Sequence, residues 1–119
     1  MNNKTTGSIG EFLARSFLRL KGYRIVEKNY VTGRGVGCGE LDIVACKRHT
    51  LVFVEVKSRQ NMTDALSAIK NTQQKHIVRA AEVYLARHKK WQGFDVRFDA
   101  IFVSGWRIRH IKNMCSADV

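Results

Sequence analysis

Two apolar runs joined by a short polar link constrain this chain more than any other feature: Gly39-Glu40-Leu41-Asp42-Ile43-Val44 and Leu51-Val52-Phe53-Val54-Glu55-Val56-Lys57. Both have the β-branched composition of buried strands, and their separation suits a hairpin. Yet the hairpin carries Glu40, Asp42, Glu55 and Lys57 where packing alone would call for apolar residues. The 119-residue chain has ten acidic residues against 21 lysines and arginines, so three acids in one hairpin need a chemical reason.

Side chains alternate faces along a strand, and cross-strand partners share a face. With Lys47-Arg48-His49-Thr50 as the link, Asp42 falls opposite Glu55 and Glu40 opposite Lys57, while Val52, Val54 and Val56 fill the other face. A slip of one residue would move Asp42 among the valines, which a buried sheet resists. Two facing carboxylates repel, so either one keeps a proton or a cation lies between them. A hard divalent ion held by carboxylate oxygens is the simplest compensating charge. Lys57 would then stand beside the ion, placed to orient a water or to steady developing negative charge.

An Asp followed by Glu-x-Lys on the next strand resembles the active-site pattern of restriction-endonuclease-like nucleases. A longer ordered set is similar to the small bacterial YraN-type family of predicted endonucleases, which resembles archaeal Holliday-junction resolvases in its core. That set comprises Gly7-Ser8-Ile9-Gly10-Glu11, Gly22-Tyr23, Asn29, Gly39-Glu40-Leu41-Asp42-Ile43, Phe53-Val54-Glu55-Val56-Lys57-Ser58-Arg59, Ala80-Ala81, Tyr84-Leu85 and Arg97-Phe98-Asp99. The resemblance covers most of the chain and implies a Mg²⁺- or Mn²⁺-dependent endonuclease acting on DNA, with branched or irregular DNA as substrate by analogy with the resolvases. It implies Asp42 and Glu55 as metal ligands, the main-chain carbonyl of Val56 as a further ligand, Lys57 acting on the attacking water, and Glu11 reaching the metal through water. The chain departs from the family pattern in two places. The glycine-rich stretch Thr32 to Gly39 is longer than usual. Gln73-Gln74 stands where the family commonly has Lys-Gln, with Lys75 displaced by two positions, roughly 200° round a helix.

Charge points to the same class of partner. A formal net charge of +11 favours a polyanion, nucleic acid first, through phosphate neutralisation and counterion release. Arg34, Arg59, Lys70, Lys75 and Arg79 are the expected phosphate contacts, against the plainer account that basic surface residues are simply solvated. Two alternatives stay open: a nucleic-acid-binding module without turnover on the same scaffold, and a basic partner of the ribosome or of another protein. No run reaches the ~18 apolar residues of a membrane helix, and Met1-Asn2-Asn3-Lys4 lacks a signal-peptide core, so a cytoplasmic protein with no membrane contact is expected. Cys38, Cys46 and Cys115 show neither a disulfide framework nor zinc spacing. The four histidines are scattered and read as surface or packing residues.

With no linker or repeat, the chain reads as one domain, 1–119. Apolar spacing predicts a helix over Ser8 to Leu20 with Ile9, Phe12, Leu13, Phe17 and Leu20 inward. Strands are expected at Tyr23 to Val31, Glu40 to Lys47 and Leu51 to Ser58. A helical turn over Thr63 to Ile69 precedes a longer helix capped by Thr72, carrying Ile77, Ala80, Ala81, Tyr84, Leu85 and His88 on one side. Strands at Phe94 to Val103 and Trp106 to Lys112 pair through Ser104-Gly105. The order αβββαβ(β) gives a mixed sheet flanked by helices, the α/β class with a restriction-endonuclease-like core. Ser8 and Glu11 have the spacing of a capping box, which competes with a metal-side role for Glu11. Glu40 is open to a structural ion pair with Lys57 or an arginine, since burial needs pairing whether or not chemistry follows. Trp91 and Trp106 are open to base stacking or to a subunit contact, with packing the default. A homodimer joined through the segment Phe94 to Ile111 is expected for a protein that cuts two strands.

Overall fold

The computed structural model describes residues 3–33, 39–59 and 71–115. Helix α1 spans Asn3–Leu20, followed by strands β1 (Arg24–Val31), β2 (Glu40–Lys47) and β3 (Thr50–Ser58). Helix α2 spans Asn71–Arg87, a 3-10 turn Lys89–Trp91 follows, and β4 (Asp95–Ser104) and β5 (Arg107–Cys115) are the last described elements. The strands form one sheet in the order β1-β2-β3-β4-β5. Only β3 and β4 run parallel, the consequence of the long crossover between them that contains α2. This is the mixed α/β arrangement expected, compatible with a restriction-endonuclease-like core.

The hairpin register follows the alternation. Lys47 pairs with Thr50, Cys46 with Leu51, Val44 with Phe53 and Ile43 with Val54. Val52 and Val54 pack with Ala14 and Leu18 of α1, whereas Leu51 and Phe53 pack with Ile77, Ala81 and Tyr84 of α2. Glu55 and Lys57 therefore continue the α2 face of β3. The apolar positions expected on α2 are those buried, with Leu85 and His88 at the margin.

Helix α1 departs from expectation. Its sheet-facing stripe is Gly10, Ala14 and Leu18, while Ile9 and Phe12 are 55% and 57% exposed and Leu20 is exposed. Small residues dock the helix because it lies so near β3. A Cβ on Gly10 would fall 2.3 Å from Ser58 Oγ. The helix also begins at Asn3, which puts Ser8 inside it, so Ser8 and Glu11 form no capping box. On the second helix Thr72 lies within the helical span and is not its cap. The expected turn over Thr63 to Ile69 falls outside the described residues.

The segment expected to join two copies is largely used within the protomer. Phe98, Ile101, Phe102 and Val103 are buried, and Trp91 packs edge-on against Phe94. Trp106, at the tip of the β4–β5 hairpin, is 89% exposed. Among the described residues no helix is long and apolar enough to cross a membrane.

Candidate active site

At one end of the sheet the hairpin comes apart. The β2–β3 ladder stops at Ile43 and Val54, yet β2 stays paired to β1 as far as Glu40 and β3 stays paired to β4 as far as Ser58. Continuing the register places Asp42 opposite Glu55 and Glu40 opposite Lys57 across this opening, as the sequence alternation requires. Asp42 Oδ2 accepts the Val56 N–H at 2.8 Å, substituting a carboxylate for the strand carbonyl that the ladder no longer supplies. A strand residue presents its N–H and C=O to the same neighbour, so the Val56 carbonyl also faces the opening.

The electrostatics follow from this crowding. Burial first, and then the neighbouring Glu55, push the Asp42 carboxyl up to about 7, with smaller contributions from Glu11 and Glu40 and against the Val56 hydrogen bond. Lys57 Nζ lies 3.0 Å from Glu55 Oε1, and both side chains are mostly buried. The expected Glu40–Lys57 pair is replaced by this Glu55–Lys57 bridge. The lysine thus offsets Glu55 without relieving Asp42.

Two further carboxylates are fixed by one amide. With its amide oriented to satisfy both partners, Asn29 donates to Glu11 Oε1 at 2.8 Å and to Glu40 Oε1 at 3.2 Å. Asn29 has a φ of 52°, a left-handed conformation that asparagine tolerates better than most residues. Glu11 is raised above its ordinary value, mainly by burial and then by Glu40. The start of β2 is anchored separately. The Thr32 hydroxyl donates to the Gly39 carbonyl at 2.9 Å and accepts the Gly39 N–H at 3.0 Å. Arg87 of α2 in turn donates to the Thr32 carbonyl at 3.0 Å.

A cleft of about 170 Å³ opens here, lined by Gly39, Glu40, Glu55, Lys57, His76 and Ile77. His76, expected at the surface or in packing, is exposed and is the residue of α2 that forms the cleft's polar wall. Its role depends on the rotation of α2 about its axis, which histidine spacing does not encode. Lys75 and Arg79 are exposed on the same helix and are not among the lining residues. Arg59 is turned back on the main chain, donating to the Ser58 carbonyl at 2.8 Å. Arg34 and Lys70 lie outside the described residues, as do Cys38 and the side chain of Gln73.

A second charged cluster went unassigned by sequence reasoning. Asp99 is fully buried and accepts from Arg97 Nε and Nη2, both at 2.8 Å, and from the Asn113 N–H at 2.9 Å, with His110 Nε2 at 2.7 Å. Arg97 Nη2 also donates to the Tyr23 hydroxyl at 2.6 Å. The pairing of β4 with β5 is irregular at this point, and the Asp99 carboxylate satisfies the Asn113 N–H that the broken ladder leaves. Burial alone would raise its proton affinity, but His110, Arg97 and Asn113 outweigh that and lower it. The cluster ties the β4–β5 bulge to Tyr23, between α1 and β1. Its only sequence signal was the Arg97-Phe98-Asp99 run.

The family model described as "Uncharacterised protein family UPF0102" matches residues 10–103, which include Glu11, the opened hairpin and the Arg97–Asp99 pair. The chain belongs to the UPF0102 family. It is 42% identical over 113 residues to a UPF0102 protein of Paramagnetospirillum magneticum, covering 94% of this chain and 88% of that protein. It is 42% identical over 99 residues to a member from Bradyrhizobium diazoefficiens, covering 83% and 71% respectively. A Bartonella tribocorum member is 36% identical over 113 residues, covering 94% and 84%. This is the YraN-type family that the motifs resemble.

Among the described residues no three His, Cys, Asp or Glu side chains are spaced to hold a metal ion. The donors that could hold one are two carboxylates, Asp42 and Glu55, with the Val56 carbonyl. An all-oxygen set of this size suits Mg²⁺ or Mn²⁺ better than a softer metal, since Mg²⁺ keeps several waters and needs only one or two carboxylates.

Proposed function

We propose that this UPF0102 member is a divalent-metal-dependent nuclease that hydrolyses DNA phosphodiesters where β2 and β3 part, with branched or irregular DNA favoured by analogy with resolvases. The observation that carries the reading is the parting of β2 and β3 at Asp42, whose Oδ2 accepts the Val56 N–H at 2.8 Å in the opening that faces Glu55. The Asp42 carboxyl is pushed up to about 7 by burial and by Glu55 although a lysine stands 3.0 Å from Glu55. A cluster built only for stability would place its cation to satisfy both acids. Burying charges that are not fully paired is a costly way to hold a core together, and it recurs at functional sites.

On this reading Asp42 and Glu55 hold the ion, with the Val56 carbonyl as a third donor, and Asp42 is fixed in place by the Val56 N–H. A bound divalent ion supplies a Lewis acid and a water acidic enough to attack near neutral pH. Lys57, kept beside Glu55, orients the water or stabilises the extra negative charge on the phosphorus oxygens in the transition state. Glu11, whose carboxylate accepts from Asn29, would accept a proton or hold the ion through water. Calorimetric titration of Mn²⁺ into wild type, Asp42→Asn and Glu55→Gln tests the metal site. Binding lost in both variants supports it, and unchanged affinity in both removes it.

A second reading, nucleic-acid binding without turnover, is favoured by Gln73-Gln74 standing where the family pattern has Lys-Gln and by the long glycine-rich stretch Thr32 to Gly39. DNA retarded in a gel but uncut with either metal would select it.

A further inference from the structure

The β4–β5 hairpin ends in a two-residue turn, Gly105-Trp106, closed by Ser104 and Arg107. Gly105 has a φ of 60° and Trp106 does not share that sign, the pattern of a type II′ turn with glycine first. The geometry places an indole at the corner of the hairpin, 89% exposed. A turn of this type has no need of tryptophan at its second position, and an indole left in water forgoes the burial that normally stabilises it.

The register locates this corner relative to the cleft. Lys57 pairs with Phe102 and Phe102 with Arg109, so Lys57 and Arg109 lie on one rung and on the same face of the sheet. Two strand spacings of about 4.8 Å separate them. Ser58 pairs with Val103, which puts the turn beyond the same end of the sheet at which β2 and β3 part. Strand β5 from Arg107 to Cys115 contains no acidic residue, and Arg107, Arg109 and Lys112 are exposed. Basic residues on an edge strand also deter unwanted pairing. That accounts for the arginines but not for the indole.

We propose that Trp106 stacks on an unpaired base of a DNA strand whose phosphates run from the Glu55–Lys57 end of the cleft to Arg109 and Arg107. An exposed aromatic beside a cationic track is the recognition chemistry of single strands, because every base offers a π-face and every phosphate a charge. Flaps, gaps and branch points supply such bases, and a fully paired duplex does not. The proposal rests on the reading of this sheet end as a nucleic-acid site, but it is tested without turnover.

The experiment follows tryptophan emission while the full chain is titrated, in EDTA, with a short oligothymidylate, with its duplex with oligoadenylate, and with anionic phospholipid vesicles. Of the two tryptophans Trp91 is buried, so the single strand quenches the Trp106 emission in wild type and not in Trp106→Phe. Trp106→Ala weakens single-strand binding by roughly five- to a hundredfold. Arg109→Ala flattens the dependence of log affinity on log salt by about 0.7. Both substitutions are at exposed positions, and unchanged melting temperatures show the fold intact. The proposal is overturned by an absent quench, by equal affinity in Trp106→Ala, by equal quenching with duplex, or by a response to vesicles alone. Cleavage that is indifferent to Trp106 overturns this inference and leaves the proposed hydrolysis standing, whereas stacking without cleavage does the reverse.

Discussion

Replacing Asp42 with asparagine removes a charge while keeping the side-chain shape, and the amide oxygen still accepts the Val56 N–H that now lies 2.8 Å from Oδ2. The carboxyl sits at about 7 in the folded protein against an ordinary 3.8. The native state therefore binds this proton more tightly than the unfolded chain, and ionising Asp42 destabilises the fold. That loss is absent below about pH 4, grows between 4 and 7, and is complete above 7. The difference between the two values corresponds to as much as about 4 kcal/mol at neutral pH, and relaxation around the site brings the expected gain of Asp42→Asn to about 2–4 kcal/mol. With a urea dependence of about 2 kcal/mol per molar, the unfolding midpoint rises by about 1–2 M. Urea titrations in EDTA, followed by Trp91 fluorescence from pH 4 to pH 8.5, measure it. The variant and wild type converge at pH 4 and separate to a plateau above pH 8. A variant no more stable at pH 8.5, or a difference that ignores pH, refutes the claim that Asp42 is a crowded, undercompensated acid.

Lys57→Ala retains metal and DNA binding but loses turnover, because the ammonium acts chiefly on transition-state charge; single-turnover rates within about threefold of wild type, under ~0.7 kcal/mol, would make Lys57 structural. Asp99→Asn leaves the partly buried Arg97 without its counter-charge and lowers stability by about 2–4 kcal/mol in urea titrations. The stability that Asp99 contributes in wild type is present above its unfolded value near 3.8 and is lost as pH falls through its lowered folded value. Gly10→Ala gains about 1 kcal/mol of helix propensity but drives a methyl into Ser58 Oγ, for a net loss of about 1 kcal/mol. In Gly10→Ala/Ser58→Ala the nearest atom becomes the Cβ retained at residue 58, 3.7 Å away, and thermal melting returns to or above that of wild type.

The hairpin was legible because it is local. An alternating pattern and a short link fix its register, and with it the pairing of Asp42 and Glu55. What escaped the sequence depends on contacts between distant segments. The docking face of α1 is written in Gly10, Ala14 and Leu18, and apolar periodicity favoured the larger Ile9 and Phe12, which lie in solvent. Glu11 had the spacing of a cap, but a helix that begins five residues before Ser8 leaves nothing there to cap. His76 reaches the cleft through the rotation of α2, and Asp99 finds Arg97, His110 and Asn113 through a bulge between strands. Lys57 chose Glu55 over Glu40 because i and i+2 on one strand share a face at closer range than the parted strands allow.

Labelled linear, flapped and four-way DNA incubated with Mg²⁺ or Mn²⁺ tests the central claim directly, with wild type, Asp42→Asn and Lys57→Ala compared at equal concentration. Wild type cuts at least one of these substrates only when the metal is present, and both variants fail although Asp42→Asn is the more stable protein. Wild type that cuts none of them with either metal, or Asp42→Asn that cuts as wild type does, contradicts it.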